Sequence, residues 1–217
     1  MASSPSDRLT ALQRDFLQAL RERPSGFFLT GGAVLAGWVL GHRRTDDLDL
    51  FTTDDASMRD ADRLVRGIAA VVGAAVEPTQ TSPDFRRYSL RRGSESVIVD
   101  CIRERVPQLR EKVVRDGVTM DPVEEIVANK ICALLGRAET RDVVDLYCLE
   151  HIGFPVEQFL GDAQRKDAGV TPGSLAWVLS ELVVPDALPG DVDPEALRVF
   201  VRDLEARMRR LSMPPSA

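Results

Sequence analysis

Asp47 and Asp49, separated by a single leucine, are the residues in this chain with the most chemistry to offer. On a strand, side chains alternate, so both carboxylates share one face while Leu48 and Leu50 point to the other. Two neighbouring carboxylates repel each other and resist burial unless a cation neutralises them. Mg²⁺ suits such a pair, since it takes oxygen ligands and keeps places for water and substrate phosphates. The plainer reading of a lone D-x-D is a solvated strand edge balanced by Arg43 and Arg44. Neighbouring sequence favours the metal. Thr30-Gly31-Gly32 stands at a strand-to-helix turn about fifteen residues upstream. Glycine there lets the backbone approach a phosphate, whose charge a helix N-terminus favours, although a tight turn alone also explains the pair. Asp100 closes the apolar run Ser96-Val97-Ile98-Val99. As a third carboxylate it would complete a two-metal site or act as general base for an attacking hydroxyl; otherwise it is a strand-end acid.

Only three of the 28 basic residues are lysines, at positions 112, 130 and 166. Lys130 lies on the edge of a helical stripe made by Ile126, Val127, Ile131 and Leu134. It either snorkels or points into a cleft to hold a triphosphate. Downstream, Arg137, Arg141, Asp142 and Asp145 crowd the next helix start, with Asp142 and Asp145 sharing a face at i, i+3. Asp142 there would also complement a helix N-terminus. Arg86, Arg87, Arg91 and Arg92 form either a local phosphate-binding patch or the solvent face of a hairpin.

The elements that must position these groups can be read from periodicity. Leu9, Leu12, Phe16 and Leu20 predict an amphipathic N-terminal helix. Gly26 to Thr30 predicts a strand, Ala33 to Leu40 a helix, Leu48 to Thr52 a strand, and Ala56 to Val72 a helix. Phe85 to Arg91 and Ser96 to Ile102 make a hairpin around Arg92-Gly93-Ser94. Val113-Val114 and Val118 to Met120 make a second one across Asp116-Gly117. Asp121-Pro122-Val123-Glu124 then reads as an N-cap, a Pro at the first helical position and an acidic N3 residue. Further helices are expected over Arg141 to Glu150, Val156 to Ala163, Ser174 to Val183 and Pro194 to Leu211, with Pro214-Pro215 in a short tail. The expected architecture is mixed α/β through residue 120, followed by an all-helical region over 121–217.

Bulk properties narrow the function classes. The chain has 217 residues, 44% hydrophobic and 29% charged, enough for a real core. No apolar run approaches a membrane span, and residues 1–26 lack the apolar core of a signal peptide. Cys101, Cys132 and Cys148 have no metal or disulfide spacing, which predicts buried thiols in a reducing cytosol. A net charge of −6 argues against coating nucleic acid by charge, so no binding to duplex DNA is expected. With His42 and His151 as the only histidines, a metal-dependent phosphohydrolase is disfavoured.

Phe28-Leu29-Thr30-Gly31-Gly32-Ala33, followed by Gly41 through Phe51 with Asp46-Asp47-Leu48-Asp49, resembles the AbiEii/AbiGii-type nucleotidyltransferases of the DNA-polymerase-β-like superfamily. Asp121-Pro122 through Lys130, Leu134-Leu135-Gly136-Arg137 and Arg141-Asp142-Val143-Val144-Asp145-Leu146-Tyr147 resemble that family's second signature. The resemblance covers roughly residues 26 to 150. It implies an α+β nucleotidyltransferase fold, a small mixed β-sheet flanked by helices, with residues 1–120 as catalytic core and a helical C-terminal region completing the active site. It implies Mg²⁺ (or Mn²⁺) as cofactor and an NTP as substrate. Asp47 and Asp49 would be metal ligands, joined by Asp100 as the third-strand carboxylate. Thr30, Gly31, Gly32, Arg43 and Arg44 would line the phosphates, Lys130 would contact the nucleotide, and Asp142 or Asp145 would be the acid of the final motif. The wider superfamily carries Gly-Ser where this chain has Gly31-Gly32, so Thr30 would have to supply the missing hydroxyl. Relatives of this kind are often toxins with a cognate antitoxin, and some act on the tRNA 3′ end. A protein or aminoglycoside-like acceptor, and a non-catalytic nucleotide-binding module, are the alternatives.

Overall fold

The computed structural model describes residues 8–213; the Pro214-Pro215 tail and the residues before Arg8 lie outside them. Two compact units divide the chain. One runs through Arg105 and resumes at Arg110–Pro122; the other joins Val106–Leu109 to the residues from Val123 onward.

In the first unit, α1 (Ala11–Arg21) buries Leu12, Phe16 and Leu20, as the periodicity predicts. It starts on a capping box in which Thr10 accepts from Gln13 N and the Gln13 side chain accepts from Thr10 N. β1 (Phe28–Thr30) leads into α2 (Gly31–Val34) and a π-helical turn (Leu35–Val39). Helix therefore begins on the glycines themselves, two residues before the expected Ala33. β2 (Asp47–Thr52) and α3 (Asp55–Val72) follow. Asp54 caps α3 by accepting from Ala56 N and Ser57 N, and Gly73 ends it at φ 69°. The remaining strands are β3 (Ala75–Thr81), β4 (Phe85–Arg92), β5 (Glu95–Arg103), β6 (Val113–Arg115) and β7 (Val118–Met120).

These strands form one mixed seven-stranded sheet in the order β3-β4-β5-β2-β1-β7-β6. β2 runs parallel to β5 and antiparallel to β1, and β1 runs parallel to β7. The alternation of β2 is as expected, with Leu48, Leu50 and Thr52 buried and Asp47, Asp49 and Phe51 half-exposed. The buried face, continued by Tyr88, Leu90, Val97, Val99 and Cys101, lies with the helices α1 and α3 packed on the sheet. β3 has no counterpart in the sequence reading. It is an exposed edge strand with a register shift between Pro78 and Gln80, and so shows no period-2 hydrophobicity.

The second unit is helical: α4 (Val123–Arg137), α5 (Thr140–His151), α6 (Val156–Lys166), α7 (Pro172–Glu181) and α8 (Pro194–Ser212). Ile126, Val127, Ile131 and Leu134 of α4 are fully buried in its core. Glu125 and Lys166, both buried, pair at 2.6 Å across α4 and α6, and Glu125 also accepts from Leu109 N at 3.0 Å. Asp121, read from sequence as a helix cap, receives Lys112 Nζ at 2.5 Å within the first unit. The thiols divide: Cys101 is buried, its pKa pushed up to about 12 by desolvation, whereas Cys132 and Cys148 are only half-buried. Among the described residues, no helix is long and apolar enough to cross a membrane.

Candidate functional site

Strand register assembles the acidic residues of the first unit. Thr30 on β1 pairs with Asp49 on β2, Asp49 with Asp100 on β5, and Asp100 with Arg87 on β4. Four strands thus bring Thr30, Asp49, Asp100 and Arg87 into one row on the face away from α1 and α3. Asp47 lies two residues along β2 on that face.

Asp47 is held in place through α1. Gln13 Nε2 donates to the Thr45 carbonyl at 2.8 Å, and Thr45 Oγ1 donates to Asp47 Oδ1 at 2.6 Å. Both Gln13 and Thr45 are buried, so the relay is shielded from water. Neither residue is apparent as a site residue in the sequence, because one is a helix-capping glutamine and the other a loop threonine.

Around Asp49 the backbone comes very close. Gly31 has φ +66°, and a Cβ there would lie 2.6 Å from Asp49 Oδ2. Only glycine allows this approach. A Cβ on Gly32 would lie 2.8 Å from Arg43 Nη2, so the buried Arg43 guanidinium occupies the space that a side chain at position 32 would need. Thr30 Oγ1 is buried and has no hydrogen-bond partner. Buried hydroxyls rarely remain orphaned, which sets this one apart beside Asp49. Arg44, by contrast, is exposed.

Asp100 has a different environment. Arg87 Nε and Nη2 donate to its two oxygens at 2.8 and 2.7 Å. The Asp100 bond, with further help from the charges of Asp47 and Asp49, raises the pKa of the Arg87 guanidinium despite its partial desolvation. Among the described residues, no group of three or more His, Cys, Asp or Glu side chains is arranged to hold a metal ion. Asp47 and Asp49, two half-exposed carboxylates on one face of β2, are the residues here whose oxygens could ligate a hard cation. Two of the other arginines of β4 are engaged elsewhere. Arg92 is paired with Asp15 and Glu95, and Arg86 donates to the Arg59 carbonyl.

The second unit gathers the remaining expected residues into a closed cluster. Lys130 Nζ pairs with Asp142 Oδ1 at 2.8 Å and with Asp145 Oδ2 at 2.6 Å, both carboxylates being fully buried. Arg137 adds a bidentate pair to Asp142. Burial pushes the Asp142 carboxyl up, but the Arg137 hydrogen bond and the charge of Lys130 outweigh it and leave the pKa lowered. Burial likewise opposes charge on Lys130, and Asp145 and Asp142 together raise its pKa. The cluster locks α4 to α5.

Lys130→Ala should cost about 3–5 kcal/mol, because it strands buried carboxylates. Urea unfolding followed by circular dichroism would measure this, and a midpoint equal to the wild type would contradict it. The same cluster fixes a pH window. Asp142, lowered in the fold, contributes stability above its ordinary 3.8 that is lost as pH falls further. Lys130, raised in the fold, contributes stability below its ordinary 10.5 that is lost as pH rises through its folded value.

Comparison with known proteins bears on the family and the fold. The family model for the nucleotidyl transferase AbiEii toxin of type IV toxin–antitoxin systems matches residues 15–210. A solved structure of a candidate nucleotidyltransferase from H. pylori is 20% identical, with a TM-score of 0.60, over 94% of this chain and 96% of that one. The structure of JHP933 from Helicobacter pylori is 21% identical, also at 0.60, over 93% and 92%. At these identities the likeness is one of fold. No protein of curated function matches the sequence.

Proposed function

Since the chain belongs to the AbiEii nucleotidyltransferase toxin family, we propose that it transfers a nucleoside monophosphate from an NTP to a hydroxyl acceptor, using Asp47 and Asp49 as ligands of Mg²⁺ or Mn²⁺. The observation that carries this reading is the pairing of two half-exposed carboxylates with the Gly31 turn and the orphaned Thr30 hydroxyl. A divalent cation held there would neutralise charge on the phosphates and polarise the reacting phosphoryl group. The protein's own groups do the rest. Thr45 orients Asp47, and Gly31 allows the backbone to come close to the nucleotide. The Thr30 hydroxyl donates to a phosphate oxygen, replacing the superfamily serine. Arg43 adds positive charge behind Gly32. In the transfer itself the acceptor hydroxyl loses its proton to solvent as its oxygen bonds to the α-phosphorus, the α–β phosphoanhydride bond breaks, and pyrophosphate leaves.

For the acceptor we propose a hydroxyl at the tRNA 3′ end or on a protein side chain. The net charge of −6 and the engaged arginines of β4 favour a short contact over a long nucleic-acid footprint. A toxin role would bring a cognate antitoxin as partner. One observation favours a second reading, nucleotide binding without transfer: Asp100, the expected third carboxylate, is engaged by Arg87.

Incubation with each α-labelled NTP, Mg²⁺ and total cellular RNA or protein distinguishes the readings. The expected result is label retained on one macromolecular class with release of pyrophosphate. Mg²⁺-dependent binding of an NTP with no labelled product would instead establish the binding module.

A further inference from the structure

The row of register neighbours contains one relation that nucleotidyl transfer by Asp47 and Asp49 leaves unused. A two-metal arrangement needs the Asp100 oxygens turned toward a cation shared with the β2 carboxylates. Here both oxygens accept from Arg87, at 2.8 and 2.7 Å. The two residues are directly opposed across β4 and β5, which favours a fixed bidentate pair. Phe85 holds the guanidinium from a second side, its ring centroid 5.4 Å away. Asp100 is almost wholly buried, whereas the Arg87 side chain is 43% exposed. Its Nη1 makes none of these bonds.

We propose that Arg87 is the second cation of this site. It is a permanent charge anchored by Asp100, standing in the carboxylate row where a two-metal enzyme carries its second ion. Asp100 is then the anchor of a phosphate-binding arginine and not a metal ligand. A guanidinium suits the role because it stays charged at all working pH values and keeps a donor edge for a phosphate oxygen after binding Asp100. The inference rests on the Asp47–Asp49 metal reading, and predicts that those two residues take one divalent ion per chain.

Mn²⁺ titration of the full chain, read by electron paramagnetic resonance, tests this without any turnover assay. The wild type should bind one Mn²⁺. Asp100→Asn, an isosteric change, should leave that number at one. Arg87→Met, which frees the Asp100 oxygens, should create a second site, and the double variant Arg87→Met with Asp100→Asn should remove it. Two sites in the wild type, a site lost in Asp100→Asn, or a single site in folded Arg87→Met would each overturn the proposal while leaving the metal role of Asp47 and Asp49 intact. Absence of any Mn²⁺ binding by the wild type would remove the metal reading itself, and this inference with it.

Discussion

Asp49→Asn is expected to reduce nucleotidyl transfer by on the order of a thousandfold or more, with the melting temperature within a few degrees of the wild type. The charge stabilisation that a bound divalent ion supplies amounts to several kcal/mol, and about 4 kcal/mol corresponds to about a thousandfold in rate. Asparagine matches aspartate in shape, so the backbone approach of Gly31 is preserved, and removing one of two like charges on β2 relieves repulsion rather than adding strain. The check is a transfer assay beside a thermal melt. Wild-type turnover in the variant would sink the assignment of Asp49.

Gly31→Ala should be nearly as damaging for a different reason. At φ +66° an alanine is strained by about 1–2 kcal/mol, and its methyl would meet Asp49 Oδ2 at 2.6 Å. The carboxylate has to move, and a displacement of about 1 Å at a reacting centre can cost about a hundredfold. A melting temperature lower by roughly 2–8 °C is expected from the strain alone. Gly67→Ala is the control, since that α3 glycine has open space around its Cβ position and lies mid-helix. It should be neutral or stabilising by up to about 1 kcal/mol. If both variants transfer nucleotide equally well, the Gly31 turn has no part in holding Asp49.

Much of this site was visible in the sequence, and what was hidden was hidden for identifiable reasons. Asp47 and Asp49 stand out because period-2 alternation assigns both to one face without any knowledge of tertiary structure. Asp100 stands out as an acid closing an apolar strand. Its pairing with Arg87 was not drawn from the sequence, although expected strands ending at Arg91 and resuming at Ser96 oppose Arg87 to Asp100, the register observed across the Gly93-Ser94 turn. The Gln13–Thr45–Asp47 relay could not be read from the sequence, because it joins residues 32 positions apart through a backbone carbonyl. β3 lacked a signal altogether, being polar, exposed and interrupted by Pro78. For Lys130, helical spacing indicates its place on the stripe edge but not that Asp142 and Asp145 both turn toward it.

The short segment Val106–Leu109 has a consequence for how this protein could be shuffled or dissected. It sits between strands of one unit yet belongs to the other, where Leu109 N donates to buried Glu125. The chain therefore passes between units at three points, not one. A fragment ending at Pro122 would carry this four-residue segment away with it, leaving the Glu125 carboxylate without its backbone donor. A crossover at Pro122 would therefore damage the helical unit, so recombination there is expected to be disfavoured.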